Sequence, residues 1–397
     1  MTATEICTYN FPTKIRFGAG ASAELAATLS ALQIHRPLVV TDRDVAQLPW
    51  FATIEASLDP LVASTFSGVW GNPVVSQVTA GLAAYQAHGA DGIVAVGGGA
   101  PMDVAKAIAL MVNHPGHLFD YEDGACTRPI DQPIPAIVAI PTTAGTGSEV
   151  GRSAVISDDA THSKKIIFDP QLLPQVVLAD PTLLLGLPAK ITAATGMDAL
   201  THLIEAFLAK GNHPLCDGIA LEGIHLVAQH LQASVDYAQR LASGEVFDEA
   251  TATAHLTARA GMLNASMMGA IAFQKGLGVT HSCAHALSTV CNTHHGLANA
   301  VMLPAAMRFN LLAVPEKFLR MARVVNPGAA SGEDFLTWIL GLSRAIAIPP
   351  DLSALGVTTA TLDELVSVAI QDGCHPCNPK PVSTEDFHAI YQDALAA

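Results

Sequence analysis

The 397-residue sequence has no apolar run near the ~18 residues that cross a membrane. Its best candidates break early, residues 93–96 running into three glycines and residues 137–140 into Pro141. The opening MTATEICTYNFP carries neither a basic stretch nor a long apolar one, so no signal peptide is expected. Basic charge is scarce, 20 Lys and Arg against 35 Asp and Glu, a formal net charge of −15. With no Lys/Arg cluster, nucleic acid and anionic membranes are poor partners. Charged residues make up only 14% of the chain and hydrophobic ones 50%, which argues against disorder. The seven cysteines are scattered and odd in number, so reduced thiols in the cytoplasm are expected rather than a disulfide framework. Tyrosines number five, yet histidines number sixteen. Histidine is the commonest metal ligand and a frequent acid or base, so this excess calls for an explanation.

At ~150 residues per domain the length predicts two or three domains. The first half alternates apolar strand-like runs (37–41, 92–96, 136–140, 176–179) with helical stretches (22–33, 74–88, 101–112). Continuous apolar strands between helices point to a parallel sheet covered on both faces. After Asp180 and Pro181 the strand signals fade, and 190–209, 216–242, 246–269, 278–291 and 298–312 read as Ala- and Leu-rich helices. The expected division is an α/β domain over 1–186 and an all-helical domain over 187–397. A cleft between two such domains is a favoured ligand site.

The first half carries nucleotide-binding features. Val96 is followed by Gly97, Gly98, Gly99, Ala100 and Pro101, a strand, a triple glycine and a helix start. Glycines admit a phosphate close to the backbone, and a helix N-terminus offers free N–H groups. A tight turn without a ligand accounts for the segment equally well. Asp42 ends a strand, where a carboxylate can bond adenosine ribose hydroxyls and repel a 2′-phosphate; a turn or helix-capping aspartate is the commoner use. Residues 141–149, PTTAGTGSE, form a hydroxyl-rich loop after another strand, at the sheet end where open α/β folds bind ligands.

The second half carries metal-binding features. Asp198 and His202 lie four apart among apolar neighbours, on one face of a buried helix. A satisfied Asp–His hydrogen bond explains that pair alone. A second cluster, His281, His285, His294 and His295, shifts the balance, because imidazoles plus a carboxylate bind Fe(II) or Zn(II). Cys374 and Cys377 form a lone CxxC without further ligands or a thioredoxin-like setting, and read as ordinary thiols in a C-terminal loop.

Together these segments resemble the iron-containing (group III) alcohol dehydrogenase family, which includes lactaldehyde reductases and propanediol dehydrogenases. The resemblance spans nearly the whole chain. Its carriers are KIRFGAG from Lys14, Asn72 with Pro73, the triple glycine with Asp103 and Lys106, and residues 141–149. They continue with Gly196, Asp198, His202 and Glu205, with His281 and His285, with His295, Gly296, Asn299 and Ala300, and with Asn378, Pro379 and Lys380.

It implies a dehydroquinate synthase-like fold, with an α/β dinucleotide-binding domain followed by an all-α metal-binding domain. It implies that Asp198, His202, His281 and His295 bind Fe2+ (or Zn2+), His295 because the family's histidine precedes Gly. His285 lies beside the metal as a catalytic proton relay, with Asp198 the other catalytic residue. Asp42, Asn72, Gly97, Gly98, Gly99, Asp103, Thr142, Thr143, Thr146, Ser148 and Lys164 (or its neighbour Lys165) match NAD-binding positions. Two positions depart from the family's pattern. Ala100 replaces a frequent Ser, and Gly151 with Arg152 replaces a frequent Thr. The implied activity is reversible hydride transfer between a primary alcohol or aldehyde and NAD(H), in a cytoplasmic homo-oligomer, at least a dimer. Two alternatives stand beside it: a hydroxy-acid/semialdehyde oxidoreductase with Arg152 as carboxylate anchor, and a metal-dependent lyase on the same fold.

Overall fold

The computed structural model describes residues 11, 13–59 and 61–396. It divides into two compact units, Phe11–Thr143 with Gly147–Leu185, and Gly186–Ala397 with Ala144–Thr146.

The first unit holds β1 (Lys14–Phe17), β2 (Pro37–Asp42), β3 (Ser64–Val69), β4 (Gly92–Gly97), β5 (Ala136–Pro141), β6 (Ser153–Ser157), β7 (Lys164–Phe168) and β8 (Val176–Ala179). Its helices are α1 (Leu25–Ala31), α2 (Pro49–Ala56), α3 (Val75–His88) and α4 (Gly99–Asn113). Six strands form a parallel sheet in the order β1-β8-β5-β4-β2-β3, and β6 and β7 form a separate antiparallel pair. Every residue of β4 and β8 is buried, as are residues 37–41 of β2, which is why these strands read as unbroken apolar runs. From β2 the chain crosses to β3 on one side; from β4 it crosses to β5 on the other. The strand order therefore reverses between β2 and β4, and open α/β sheets bind ligands at such a switch point.

The second unit is helical: α5 (Ala189–Leu208), α6 (Pro214–Ala242), α7 (Glu249–Ala272), α8 (Val279–Cys291), α9 (His295–Leu311), α10 (Pro315–Val325), α11 (Glu333–Ala345), α12 (Leu362–Ala369) and α13 (Thr384–Leu395). The expected helix over 246–269 starts instead at Glu249, because the Asp248 side chain accepts a hydrogen bond from Thr251 N and caps it. The expected helix over 298–312 starts earlier, at His295, so Gly296 lies inside its first turn. Helix α5 is the core of the unit, with all of residues 196–208 buried. Among the described residues no helix is long and apolar enough to cross a membrane.

Candidate functional site

In the first unit the sheet brings three of the predicted segments to the carboxyl ends of adjacent strands. Asp42 ends β2, Gly97 ends β4, and Thr142 and Thr143 follow β5. Gly97 has φ +148°, where only glycine is unstrained. A Cβ there would lie 2.6 Å from Pro101 Cγ and 3.4 Å from Asp42 Oδ2, so the two lips of the switch point nearly touch. Thr142 N donates to Gly97 O at 3.0 Å, tying the neighbouring loop to the same turn. Gly98 is the N-cap of α4 and supplies no side-chain cap, so the first-turn amides remain available to an anion. Asp42 Oδ1 accepts from Asp44 N (3.0 Å) and Val45 N (2.7 Å), and burial pushes its pKa upward.

Three other predicted residues have internal partners. Asp103 accepts from Ser148 Oγ (2.6 Å) and Val155 N (3.0 Å), fastening α4 to the loop and to β6. Lys106, 1% exposed, donates toward Ser148 O, Ser148 Oγ, Gly151 O and Ser153 O at 2.6–3.0 Å. Burial, opposed by Asp103 and Glu149, lowers its pKa to about 8. Lys165 pairs with Glu122 at 2.5 Å and lies over the Phe119 ring, while Lys164 opens β7. Asn72 lies between β3 and α3, and Thr146 groups with the helical unit.

In the second unit three helices bring one carboxylate and three imidazoles together. Asp198 and His202 come from α5, His281 from α8, and His295 opens α9. One ligand atom from each lies within 4.8 Å of all the others. His295 Nε2 is 3.5 Å and His281 Nε2 4.0 Å from Asp198 Oδ1. A tetrahedral ion with bonds of about 2.0–2.2 Å spaces its ligands by roughly 3.3–3.6 Å, so only small closure is needed. Asp198 and His281 are at most 2% exposed and His202 5%, whereas the His295 side chain is 23% exposed and marks the accessible side. Burial, outweighing the attraction of Asp198, lowers the His202 pKa to about 4 and keeps its imidazole neutral, as a ligand must be. Asn299 Oδ1 is buried without a hydrogen-bond partner. The donor set and this unmet polar capacity fit a divalent transition metal.

Close packing fixes the cluster. A Cβ on Gly296 would lie 2.5 Å from Ala194 O, so glycine lets α9 approach α5 and delivers His295 to Asp198.

Three neighbours had no role assigned from the sequence. Asn299 Nδ2 donates to Asp198 Oδ1 at 2.7 Å. Glu205, one turn beyond His202, accepts from His281 Nδ1 at 2.7 Å. Burial raises its pKa, but hydrogen bonds from His281 and Thr280 outweigh that and hold the pKa below the usual value. Asp372 accepts from His285 Nδ1 (2.7 Å), Ser282 Oγ (2.7 Å) and Cys374 N (2.9 Å). Burial opposes its ionisation, yet His285 and these donors hold the carboxyl well below the ordinary range. The signal for Glu205 was a third ionisable group inside a buried helical stretch, which requires partners; Asp372 carried none. The CxxC segment packs beside α8, since His375 N donates to Ser282 Oγ at 3.0 Å. Burial pushes the Cys374 thiol well above its ordinary pKa.

Two family models cover almost the whole chain: iron-containing alcohol dehydrogenase over residues 12–181, and the C-terminal model of the Fe-containing alcohol dehydrogenase family over 192–395. The chain is 36% identical to a 4-hydroxybutyrate dehydrogenase of Cupriavidus necator over 395 residues, 96% of this chain and 98% of that one. It superposes on the crystal structure of a 1,3-propanediol oxidoreductase with TM-score 0.91 and 34% identity, covering 98% of this chain and all of that one. A sulfoacetaldehyde reductase from Bifidobacterium kashiwanohense, solved with NAD+, matches with TM-score 0.87 and 28% identity over 99% of this chain and all of that one.

Proposed function

The chain belongs to the iron-containing alcohol dehydrogenase family, and from that premise we propose which of its side chains carry the reaction. It is a metal-dependent enzyme that interconverts an alcohol and its aldehyde with NAD(H). In the reading we favour, Asp198, His202, His281 and His295 hold Fe2+, with Zn2+ as the other ion the donor set accepts. The observation that carries it is the convergence of these four donors, from three helices, within 4.8 Å. When bound, the ion supplies Lewis acidity to the substrate oxygen and the nicotinamide supplies the hydride chemistry.

The protein's own groups do the rest. Amides at the N-terminus of α4, beside Gly97, Gly98 and Gly99, receive the pyrophosphate. Asp42 bonds the ribose hydroxyls and disfavours a 2′-phosphate. Asn72, Thr142, Thr143, Thr146, Ser148 and Lys164 complete the cofactor groups, and Asp103 acts through Ser148, to which it is bonded. His285 gives its Nδ1 proton to the hydrogen bond with Asp372, which leaves Nε2 to accept the alcohol proton through water. A homo-oligomer in the cytoplasm belongs to the same reading. The six cysteines among the described residues are all free thiols, as a reducing compartment expects.

The test is NADH consumption with short aldehydes after loading metal-free protein with Fe(II) or Zn(II). Metal-dependent consumption is expected, and its absence with both ions across the aldehyde series overturns the reading. Analytical ultracentrifugation checks the oligomer.

One observation favours a second substrate class. Arg152 makes no carboxylate ion pair among the described residues; its guanidinium lies 5.2 Å from the Phe168 ring centre. The relative at 36% identity is named for a hydroxy acid. A free carboxylate on the substrate would pair with this guanidinium. Arg152→Ala would then raise KM for a semialdehyde acid and leave KM for an uncharged aldehyde unchanged.

A further inference from the structure

Glu205 lies outside the group of four donors, yet it contacts that group and one helix end together. Its side chain is about 1% exposed. It accepts from the main-chain N–H of Gly278 (2.9 Å) and Thr280 (2.6 Å), and His281 N lies at 3.4 Å. These are the N-cap and first-turn amides of α8, and Gly278 has no side chain with which to cap them. The helix that carries His281 and His285 is therefore capped by a carboxylate borrowed from α5, which carries Asp198 and His202. The same carboxylate accepts from His281 Nδ1 at 2.7 Å. A carboxylate there holds His281 Nδ1 as the donor and turns Nε2 toward Asp198 Oδ1 (4.0 Å) and Asn299 Nδ2 (3.4 Å). Glycine at 278 is part of the arrangement. A Cβ there would lie 2.9 Å from Glu205 Oε1 and 2.9 Å from Asn378 Oδ1.

We propose that Glu205 is the positioning residue of the metal centre: it fixes the tautomer and rotation of His281 and sets α8 against α5 before any ion arrives. The proposal rests on the reading of Asp198, His202, His281 and His295 as ligands. Hydrogen-bond partners behind a ligating imidazole contribute about 10- to 100-fold to metal affinity.

Glu205→Gln isolates this role. The amide keeps the length of the side chain and one acceptor oxygen for α8. Its NH2 must then meet either a backbone N–H or the Nδ1–H of His281. Turned toward His281, it moves the ring proton to Nε2 and blocks the nitrogen that faces the site. The first measurement uses selectively 15N-His-labelled, metal-free protein at a pH where imidazoles are neutral. Wild type should show His281 protonated on Nδ1, and the variant should show it on Nε2. The second is competition for Co(II) against a chromophoric chelator, in which the variant should bind about 10- to 100-fold more weakly. Gly278→Ala, which pushes the carboxylate aside without altering it, should weaken Co(II) in the same direction. A wild-type His281 protonated on Nε2, or unchanged Co(II) affinity in Glu205→Gln, overturns the proposal. The wild-type spectrum decides even if the variant does not fold. His281→Ala separates the two readings. If it retains Co(II) at wild-type affinity, the ligand assignment fails, whereas the tautomer in metal-free protein reports on Glu205 alone.

Discussion

Each unit of the chain buries a cluster of ionisable groups, and the two clusters differ in where their hydrogen bonds go. In the α/β unit Lys106 is surrounded by three carbonyls and a hydroxyl, and Asp103 has a donor on each oxygen. These bonds run to the loop and strand that follow β5, so the cluster works as an internal rivet. In the helical unit Asp198 Oδ1 receives Asn299, but Asn299 Oδ1 receives nothing. A buried polar group without a partner costs about 1–3 kcal/mol. The Lys106–Asp103 pair is saturated, whereas the cluster proposed to hold an ion keeps an unmet acceptor in Asn299 Oδ1.

Removing a member of each cluster should therefore break different things. The largest effect is expected at the open cluster. His202→Ala should lower metal affinity roughly 100- to 1,000-fold, the share of one ligand in a four-ligand site, while the chain stays folded. Metal content after dialysis, read beside far-UV circular dichroism, checks this; a protein that keeps its ion refutes the assignment. Lys106→Met should do the reverse. It strands three carbonyls and a buried carboxylate, and should cost about 3–5 kcal/mol in denaturant unfolding. Metal affinity of the folded fraction should not move, and a parallel loss would erase the distinction.

Glu149 is the imperfect member of the first cluster, since its buried Oε1 has no partner. Its remedy is protonation: burial, opposed by Lys106, raises its pKa from 4.5 to about 7. Between those values the unfolded chain is ionised while the native chain still holds the proton. Stability is thus fully present below 4.5, falls as pH rises toward 7, and is flat beyond. Glu149→Gln should remove a pH-dependent penalty of order 3 kcal/mol. Urea titrations across that window should give a flatter curve for the variant; an identical curve rejects the assignment. The smallest effect is expected at Asp42. Asp42→Gly should shift the kcat/KM ratio of NADPH to NADH by about tenfold, roughly 1.4 kcal/mol, toward NADPH. An unmoved ratio would show that this carboxylate does not read the ribose.

The sheet was legible where burial is two-sided. Strands β2, β4, β5 and β8 stood out as apolar runs, whereas β3, with the sequence STFSGV and alternate residues exposed, gave no such signal. The β6–β7 pair escaped because its strands are short and separated by the polar stretch from Asp158 to Ser163. Helices α5 to α9 were visible as Ala- and Leu-rich stretches, but α10 to α13, of 8 to 13 residues, were not read. In the metal cluster the pairs four apart were readable locally. What joined them was not, because it depends on Gly296 and on Glu205 reaching α8, contacts between residues distant in sequence. The resemblance to a known family filled that gap; spacing alone did not.

The order of the proposed ligands along the chain also has a consequence in time. Asp198 and His202 leave the ribosome together, but His295 follows His202 by 93 positions. At about 5–20 residues per second this is roughly 5–20 s of synthesis. For most of that interval only the two donors of α5 are present, and His281 joins them 14 positions before His295. With the proposed ligands, tight loading waits until α9 has emerged and docked, so the four-donor site is completed late in synthesis.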